Sequence, residues 1–276
     1  MSRPLRSVYL SSPKRIAVLG STGSIGRSVL SVVEANPGAF EVVSLSALSS
    51  SGPLAEQAER FGVRRVAIGE DASGDDVLGA GLEVGVGKDA LVALAEDPAV
   101  DLVINALVGT AGLPVTAAAV AAGKRLAIAN KESLVMAGEL VTQLAARTGS
   151  ELIPIDSEHS SIFRCLRGTA DGEVSGVILT ASGGPLRDLP IEEVREAGVE
   201  AVLSHPTWEM GEKITVDSAT LVNKAMEVVE AMWLFGLPED RVDVVVHRES
   251  LVHSFVQLRD GSLLAHLGSP DMRVPI

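Results

Sequence analysis

Short apolar runs rich in valine and isoleucine alternate with helical patterns along the first half of the chain. Apolar residues that recur every three to four positions predict a helix, whereas a short continuous apolar run predicts a buried strand. The predicted strands cover residues 15–19, 41–47, 65–68, 101–107 and 125–129. The predicted helices cover residues 24–35, 54–61, 88–95, 114–122 and 133–147. This alternation is typical of a parallel sheet covered by helices on both faces.

The pattern changes after residue 151. A sixth strand is predicted over residues 152–155, and a stretch rich in Gly and Pro, residues 181–211, holds one short predicted helix. The other predicted elements are helices over 157–166 and 217–235, a strand over 174–180, and three strands with hairpin-like spacing over 242–246, 250–257 and 262–266. We therefore predict an α/β fold with a Rossmann-like parallel-sheet domain over residues 1–155 and a mixed α/β catalytic domain over residues 156–276.

Composition and charge narrow the class of protein. Of the 276 residues, 46% are hydrophobic and 21% are charged, as in globular proteins. The net charge of −13 argues against a nucleic-acid partner, because phosphate backbones require basic surfaces. The single cysteine excludes an internal disulfide, and no apolar run is long enough to span a membrane. We expect a cytoplasmic protein without a nucleic-acid or membrane partner.

Three glycines, Gly20, Gly23 and Gly26, lie between the first predicted strand and the first predicted helix. Glycine permits a tight turn and a close approach to a pyrophosphate, and the start of a helix offers free N–H groups. The spacing is G-x-x-G-x-x-G rather than the commoner G-x-G-x-x-G. In its strand–turn–helix context the motif predicts a dinucleotide site, and an ordinary strand-to-helix turn is the alternative.

The end of the second predicted strand bears on the choice of cofactor. An NAD site usually places Asp or Glu there to bind the ribose hydroxyls. Residues 47–51 are Ala-Leu-Ser-Ser-Ser, without an acid, which favours NADP. The segment also lacks Arg and Lys, so serine hydroxyls would have to bind the 2′-phosphate.

Two carboxylates, Asp156 and Glu158, follow the predicted sixth strand, with Ser157 between them. Residues two apart in an extended chain point the same way, so both carboxylates can face one point beyond the sheet. Such hard oxygen ligands suit Mg²⁺ or Mn²⁺. Helix capping, with Asp156 or Ser157 as the N-cap, is at least as good an interpretation of these residues alone.

The long predicted helix carries Asn223, Lys224 and Glu227 on one face, and Asp217 or Ser218 is its predicted cap. An amide, an ammonium and a carboxylate among apolar neighbours would be costly if they were buried without partners. A third metal ligand beside a phosphate-binding Asn–Lys pair would explain all three. A solvated stripe on the helix is the alternative.

Two loop features and the cysteine complete the candidate chemistry. Residues 181–185, Ala-Ser-Gly-Gly-Pro, resemble an anion-binding turn of small residues. Trp208 lies on a loop that ends at Gly211, and it is either part of a lid over a ligand or an anchor of the loop to the core. Cys165 would be the nucleophile of a semialdehyde dehydrogenase, but its place in an amphipathic helix favours packing.

Together, five motifs resemble those of the 1-deoxy-D-xylulose 5-phosphate reductoisomerase family. They are residues 20–26 (GSTGSIG), 130–133 (NKES), 156–159 (DSEH), 181–185 (ASGGP) and 205–227 (HPTWEMGEKITVDSATLVNKAME). The resemblance implies isomerisation and reduction of 1-deoxy-D-xylulose 5-phosphate to 2-C-methyl-D-erythritol 4-phosphate, in the non-mevalonate pathway to isoprenoids. It also implies NADPH and Mn²⁺ or Mg²⁺ as cofactors, and a homodimer.

The resemblance further implies a role for each matching residue. NADPH would be contacted by Thr22, Gly23, Ser24, Ile25, Asn130, Glu132 and Gly211. The metal ion would be bound by Asp156, Glu158 and Glu227. The substrate phosphate would be held by Ser182, Ser218, Asn223 and Lys224, and the sugar contacted by Lys131, Ser157, Glu158 and His205, beside Glu227 and the lid residue Trp208. The expected catalytic residues are Lys131, Glu158 and His205.

The chain departs from the family's pattern in two places. Leu48-Ser49-Ser50 stand where the family usually has a Gly-Lys-Asn-like segment, which affects the grip on the NADP 2′-phosphate. The family also carries a helical C-terminal domain after the segment over residues 272–276, and this chain is expected to lack it. The alternative to the full reaction is therefore a non-catalytic, cofactor-binding fragment of such an enzyme.

Overall fold

The computed structural model describes residues 12–70, 81–170, 172–208 and 210–276. Its first sheet has seven parallel strands, in the order β4-β3-β2-β1-β5-β6-β7. These strands are β1 Lys14–Leu19, β2 Phe40–Ala47, β3 Arg65–Ile68, β4 Glu83–Val86, β5 Leu102–Asn105, β6 Arg125–Ile128 and β7 Leu152–Pro154. The helices among them are α1 Ser24–Ala35, α2 Ser51–Phe61, α3 Gly87–Glu96, α4 Gly112–Ala121 and α5 Lys131–Thr148. The predicted α/β fold with an N-terminal parallel sheet is thus confirmed.

Both faces of this sheet are buried, as β1 illustrates. Its residues alternate between two apolar clusters on opposite faces, because successive side chains of a strand point to opposite sides. Ile16 and Val18 belong to one cluster, and Ala17 and Leu19 belong to the other. All four are essentially inaccessible to solvent. This double burial explains the continuous apolar run in the sequence.

The prediction missed one strand of the first sheet. The strand β4 has the sequence Glu-Val-Gly-Val and lies at the edge of the sheet, next to β3. None of its four residues is fully buried. A short edge strand that contains a glycine lacks the apolar run that identified its neighbours.

The second sheet has four strands in the order β11-β10-β8-β9. They are β8 Val174–Ala181, β9 Val242–Val246, β10 Val252–Leu258 and β11 Leu263–Leu267. The predicted hairpin spacing of the three late strands is wrong for β9, which pairs in parallel with β8. Of the three late strands, only β10 and β11 pair with each other, and this pair is antiparallel. Pairing with β8 brings the end of β9 beside the loop that follows Ala181.

The helices of the second half are α6 Ser157–Leu166, α7 Ile191–Val194, α8 Val199–Leu203, α9 Glu212–Ala219 and α10 Val222–Phe235. The prediction of a single long helix over residues 217–235 is therefore wrong, because the helical conformation is interrupted between α9 and α10. Leu221 occupies the left-handed region at the break, with φ of 63°. Asp217 and Ser218 consequently end α9 instead of capping α10. The loop over residues 181–211 likewise holds two short helices, where one was predicted.

Among the described residues, no helix combines the length and the apolar character that crossing a membrane would require.

A buried polar network ties the end of β5 to α4 and α5. The Asn105 amide donates to the Gly112 carbonyl and to the Thr116 hydroxyl, each over 2.9 Å. The Thr116 hydroxyl donates in turn to Ser133 over 3.0 Å. All these side chains are fully buried, so each polar atom needs a partner within the protein. The network fixes where α5 begins, and α5 begins at Lys131.

We expect Thr116→Val to lower the free energy of unfolding by about 1–3 kcal/mol, because it leaves buried polar groups without a partner. The matched control is Thr142→Val, whose hydroxyl bonds, among the described residues, to the Gly138 and Glu139 carbonyls of its own helix. We expect the control to change the free energy of unfolding by less than about 0.5 kcal/mol. Urea unfolding measures both, and equal effects would contradict a stabilising role of the network.

Candidate functional site

One cavity lies beyond the carboxyl ends of the first sheet's strands, between that sheet and the second half of the chain. Carboxyl ends of parallel strands are where ligands of open α/β sheets bind. The lining residues that the sequence had singled out are Ser24, Ile25, Lys131, Asp156, Ser157, Glu158, Ser182, His205, Trp208, Ser218, Asn223, Lys224 and Glu227. Residues from positions 24 to 227 therefore converge on a single space.

The glycine turn, residues 20–26, forms one wall of this region between β1 and α1. The Gly20 and Ser21 amides both donate to the Ser46 carbonyl of β2, over 3.1 and 2.8 Å. A Cβ atom on Gly26 would lie 2.3 Å from the Gly20 carbonyl oxygen, so no larger residue fits there. In the part of the chain that the structure describes, no side chain caps α1 at Gly23. The first N–H groups of α1 are therefore available to an anion.

The remaining cofactor candidates do not line the cavity. Thr22 and Gly23 belong to the turn itself. The Asn130 side chain caps α5 by accepting from the Ser133 amide, and it donates to the Leu107 carbonyl. Glu132 pairs with Lys213 over 2.6 Å. These contacts give Asn130 and Glu132 structural roles in addition to any contact with a cofactor.

Three carboxylates meet at the centre of the cavity. One ligand atom from each of Asp156, Glu158 and Glu227 lies within 4.8 Å of the other two. Asp156 also caps α6, since its Oδ1 accepts from the Glu158 amide over 3.1 Å. Capping and convergence are thus both present, and the two interpretations of Asp156 do not exclude each other. The arrangement offers several hard oxygen donors to one divalent cation.

Two lysines neutralise these carboxylates. Lys131 bonds to Asp156 and lies 3.3 Å from Glu227, whereas Lys224 bonds to Glu227 and lies 3.6 Å from Glu158. Burial by itself would lower the pKa of both lysines, but the surrounding carboxylates outweigh it and raise both pKa values. Both lysines therefore stay charged at neutral pH.

The pKa values of Asp156, the N-cap of α6, and of Glu158, in its first turn, are shifted in opposite directions. Burial raises the pKa of Glu158 to about 8, although Lys224 opposes the shift. Burial also disfavours the charged form of Asp156, yet Lys131, His159 and Lys224 hold its pKa below the usual range. Of these two carboxyls, Glu158 is the one that more readily holds a proton while no cation is bound.

Small polar groups line one side of the cavity, beside the carboxylates. The Ser182 hydroxyl lies 2.9 Å from Nε2 of His205, and it accepts from the Gly184 amide over 3.3 Å. Asn223 donates to Glu227 over 2.6 Å, and its carbonyl oxygen is buried without a hydrogen-bond partner among the described residues. With Lys224 close by, this side combines hydroxyl, amide and ammonium donors. Such a set suits an oxyanion such as a phosphate.

Hydrogen bonds from the backbone fix the tautomer of His205. Its Nδ1 accepts from the amides of Thr207 and Trp208, over 3.2 and 2.9 Å. An acceptor nitrogen carries no proton, so the neutral ring carries its proton on Nε2 and donates it to Ser182. Burial lowers the pKa of His205, with Arg187 adding to the shift, which favours this neutral form.

Trp208 lines the cavity and also contacts the second sheet. Its indole ring lies 6.1 Å from the imidazole of His253, a buried residue of β10. The loop is therefore packed against the sheet, while the same side chain faces the cavity. Both interpretations of this tryptophan agree with its position.

Sequence reasoning missed two buried groups beneath the carboxylates. Glu230 lies within 3.5 Å of Lys131, and the imidazole of His159 contacts the Glu227 carbonyl over 2.8 Å. Glu230 could have been found from its position one helical turn after Glu227. Cys165, by contrast, does not line the cavity and packs beside the apolar core of the second half, near Ile162.

Comparison with known proteins identifies the family. Residues 16–138 match the family model described as 1-deoxy-D-xylulose 5-phosphate reductoisomerase, and residues 152–235 match the model of its C-terminal domain. A 1-deoxy-D-xylulose 5-phosphate reductoisomerase of Chlorobium phaeovibrioides is 48% identical over 95% of this chain and 70% of its own length. One from Anaeromyxobacter sp. is 51% identical over 95% of this chain and 68% of its own length.

Solved structures agree with these relatives. A DOX-P reductoisomerase in complex with NADPH, fosmidomycin and magnesium superposes with a TM-score of 0.91 at 42% identity, over 95% of this chain and 68% of that one. The Zymomonas mobilis 1-deoxy-D-xylulose 5-phosphate reductoisomerase in complex with NADPH gives a TM-score of 0.85 at 40% identity, over 95% of this chain and 69% of that one. On the sequence matches and the shared fold, this chain belongs to the 1-deoxy-D-xylulose 5-phosphate reductoisomerase family.

Proposed function

We propose that this chain carries out the NADPH-dependent isomerisation and reduction of 1-deoxy-D-xylulose 5-phosphate to 2-C-methyl-D-erythritol 4-phosphate. The observation that carries the proposal is the convergence of three carboxylates, an anion-binding side and a glycine turn on one cavity. A metal-assisted rearrangement followed by hydride transfer needs all three. The reaction belongs to the non-mevalonate route to isoprenoids.

Asp156, Glu158 and Glu227 would bind Mg²⁺ or Mn²⁺. The fit rests on their convergence within 4.8 Å and on their hard oxygen donors, which suit such a cation. When bound, the cation supplies a Lewis acid for the ketone and the neighbouring hydroxyl of the substrate. Lys131 and Ser157, which border the carboxylates, would orient the sugar hydroxyls, and Glu158 is placed to hold or release a proton.

NADPH, the source of the hydride, would bind at the glycine turn. The N–H groups of Ser24 and Ile25 at the start of α1 suit its pyrophosphate, and Thr22 and Gly23 lie beside them. The cofactor would also be contacted by Asn130, Glu132 and Gly211. The absence of an acid after β2 favours NADPH over NADH, with the serine hydroxyls of residues 49–51 nearest to the 2′-phosphate.

The substrate phosphate would bind between Ser182, Ser218, Asn223 and Lys224, with His205 adjacent. Binding energy from a phosphate that takes no part in the reaction can orient the reacting carbons and favour closure of the site. Trp208 would cover the bound sugar phosphate, because its side chain lines the cavity. Its backbone amide donates to His205 within the same loop.

Three further points belong to this proposal. The first domain would end at residue 155 and the second would cover residues 156–276, since β7 is the last strand of the first sheet. A homodimer would use the second sheet, whose edge strand β9 exposes about half of Val246. The protein would act in the cytoplasm without nucleic-acid or membrane partners, in keeping with its charge of −13.

The experiment that tests the proposed reaction follows NADPH oxidation by this chain with 1-deoxy-D-xylulose 5-phosphate and Mn²⁺. We expect Glu227→Gln to reduce turnover by at least about 10- to 100-fold, because removing even the partner of a metal ligand has an effect of that order. NADPH affinity should stay unchanged, since Glu227 is not among the residues proposed to contact the cofactor.

Cys165→Ser is the matched control for that experiment. We expect it to retain full turnover, because Cys165 lies outside the cavity. Loss of turnover in Cys165→Ser would instead favour a cysteine-dependent semialdehyde dehydrogenase. NADPH binding by the wild-type chain without any turnover would favour the non-catalytic alternative.

The anion-binding side should depend on Gly184. Its φ is 77°, and a Cβ atom there would lie 2.1 Å from the Ser218 carbonyl oxygen. Gly184→Ala must therefore separate Ser182 from Ser218, and we expect the KM for the sugar phosphate to rise about tenfold or more. Gly168→Ala is the control, because its Cβ would meet open space. Equal KM values for the two variants would contradict the assignment of this side to the phosphate.

The two ring nitrogens of His205 should be separable by substitution. An Asn at this position can still accept from the Thr207 and Trp208 amides, but it is too short to reach Ser182. A Gln is long enough to reach Ser182, but it suits the local turn poorly. We expect His205→Asn to keep the loop resistant to limited proteolysis while KM rises. His205→Gln should lose the protection of the loop. Identical protease sensitivity of the two variants would refute the fastening of the loop through Nδ1.

A further inference from the structure

Glu230 is a buried carboxylate that the proposed reaction leaves without a role. It is 4% exposed, lies one helical turn beyond Glu227 on α10, and its Oε2 accepts no hydrogen bond from any described residue. Two groups face this oxygen: Lys131 Nζ at 3.5 Å and His159 Nδ1 at 3.8 Å. A buried carboxylate oxygen without a hydrogen-bond donor is costly, so its position needs an explanation.

Lys131 contacts two of the three carboxylates that would bind a metal ion. Its ammonium bonds to Asp156 and lies 3.3 Å from Glu227, and both residues belong to the proposed metal set. A divalent cation bound by the same oxygens would repel an ammonium group at that distance. Lys131 must therefore shift when the metal ion binds. It cannot give up its counter-ion altogether, because it is buried.

We propose that Glu230 accepts the Lys131 ammonium when a divalent cation takes Asp156 and Glu227. This inference rests on the metal site of the proposed function. Glu230 is not one of the three converging carboxylates, so the incoming cation leaves it free. Its vacant Oε2 is less than 1 Å farther from Nζ than a charge-assisted hydrogen bond requires, and the flexible lysine stem can cover that difference.

His159 cannot take the place of Lys131 at this carboxylate. Its Nε2 contacts the Glu227 carbonyl over 2.8 Å, and its ring is completely buried against α10. Because a carbonyl oxygen only accepts, Nε2 carries the proton of the neutral ring, and Nδ1 has no proton to donate to Glu230. Glu230 thus acts as a positioning residue, and it makes the metal site available by relocating a competing charge.

The test is a double-mutant cycle on the affinity for Mn²⁺, measured by titration of the full chain in the absence of substrate and NADPH. In the wild-type background we expect Glu230→Gln to raise the Kd for Mn²⁺ about tenfold or more, because Lys131 keeps its place on the metal ligands. In the Lys131→Met background the same change should raise the Kd less than about threefold, since no ammonium needs relocation. Glu139→Gln, on the exposed face of α5, is the control for loss of a carboxylate and should leave the Kd unchanged.

Each other outcome counts against the proposal. A similar loss of affinity in both backgrounds would mean that Glu230 acts on the metal directly, as a charge or a ligand. An unchanged Kd for Mn²⁺ in Glu230→Gln on the wild-type background would mean that Lys131 does not need Glu230 when the cation binds. If the wild-type chain binds no Mn²⁺, the proposed function fails, and the relocation of Lys131 fails with it.

A second measurement avoids the risk that Lys131→Met does not fold. In a crystal structure of the Mn²⁺-loaded wild-type chain, Lys131 Nζ should lie within hydrogen-bond distance of Glu230 Oε2 and should have left Asp156. An ammonium still bonded to Asp156 in the loaded protein would overturn the proposal.

Discussion

The buried charges between the two halves of the chain are the constraint on which the rest of the structure depends. Lys131 comes from the first helix after β6, Asp156 from the start of α6, and Glu227 from the middle of α10. Their ion pairs join residues up to 96 positions apart. Removing one member of a buried pair leaves an uncompensated charge and costs about 3–5 kcal/mol. The relative position of these three helices is therefore set by electrostatics as well as by apolar packing.

The same charges explain why this site is electrostatically unfavourable when no cation is bound. Four carboxylates, namely Asp156, Glu158, Glu227 and Glu230, surround two ammonium groups, so the cluster would carry an excess of negative charge if every carboxyl were ionised. Burial raises the pKa of Glu158 and that of Glu230, which shows how poorly the cluster tolerates full ionisation. A divalent cation would relieve this repulsion. Affinity for the cation and strain in its absence thus have one physical origin.

Local patterns in the sequence predicted those parts of the site whose residues are close together along the chain. The glycine turn could be predicted because a strand, a turn and a helix follow one another within residues 14–35. The shared face of Asn223 and Glu227 followed from helical spacing, and the structure joins them by a hydrogen bond. The contact between Lys131 and Glu230 joins residues that lie far apart along the chain, so no local pattern contains it. Edge strand β4 and the parallel pairing of β9 were missed because both depend on distant partners.

The break at Leu221 shows why the predicted long helix would have produced a different site. In a continuous α-helix, with about 100° of rotation per residue, Ser218 and Asn223 would lie roughly 140° apart around the axis. They could not line one cavity, yet in this structure both do. The left-handed conformation of Leu221 turns the chain between α9 and α10 and brings both side chains to the same side. This conformation costs a leucine about 1–2 kcal/mol, and strain of this kind persists where the surroundings enforce it, as they often do at functional sites. A leucine gives no sign of such a turn in the sequence, so the anion-binding side could be recognised from its residue types but not constructed from them.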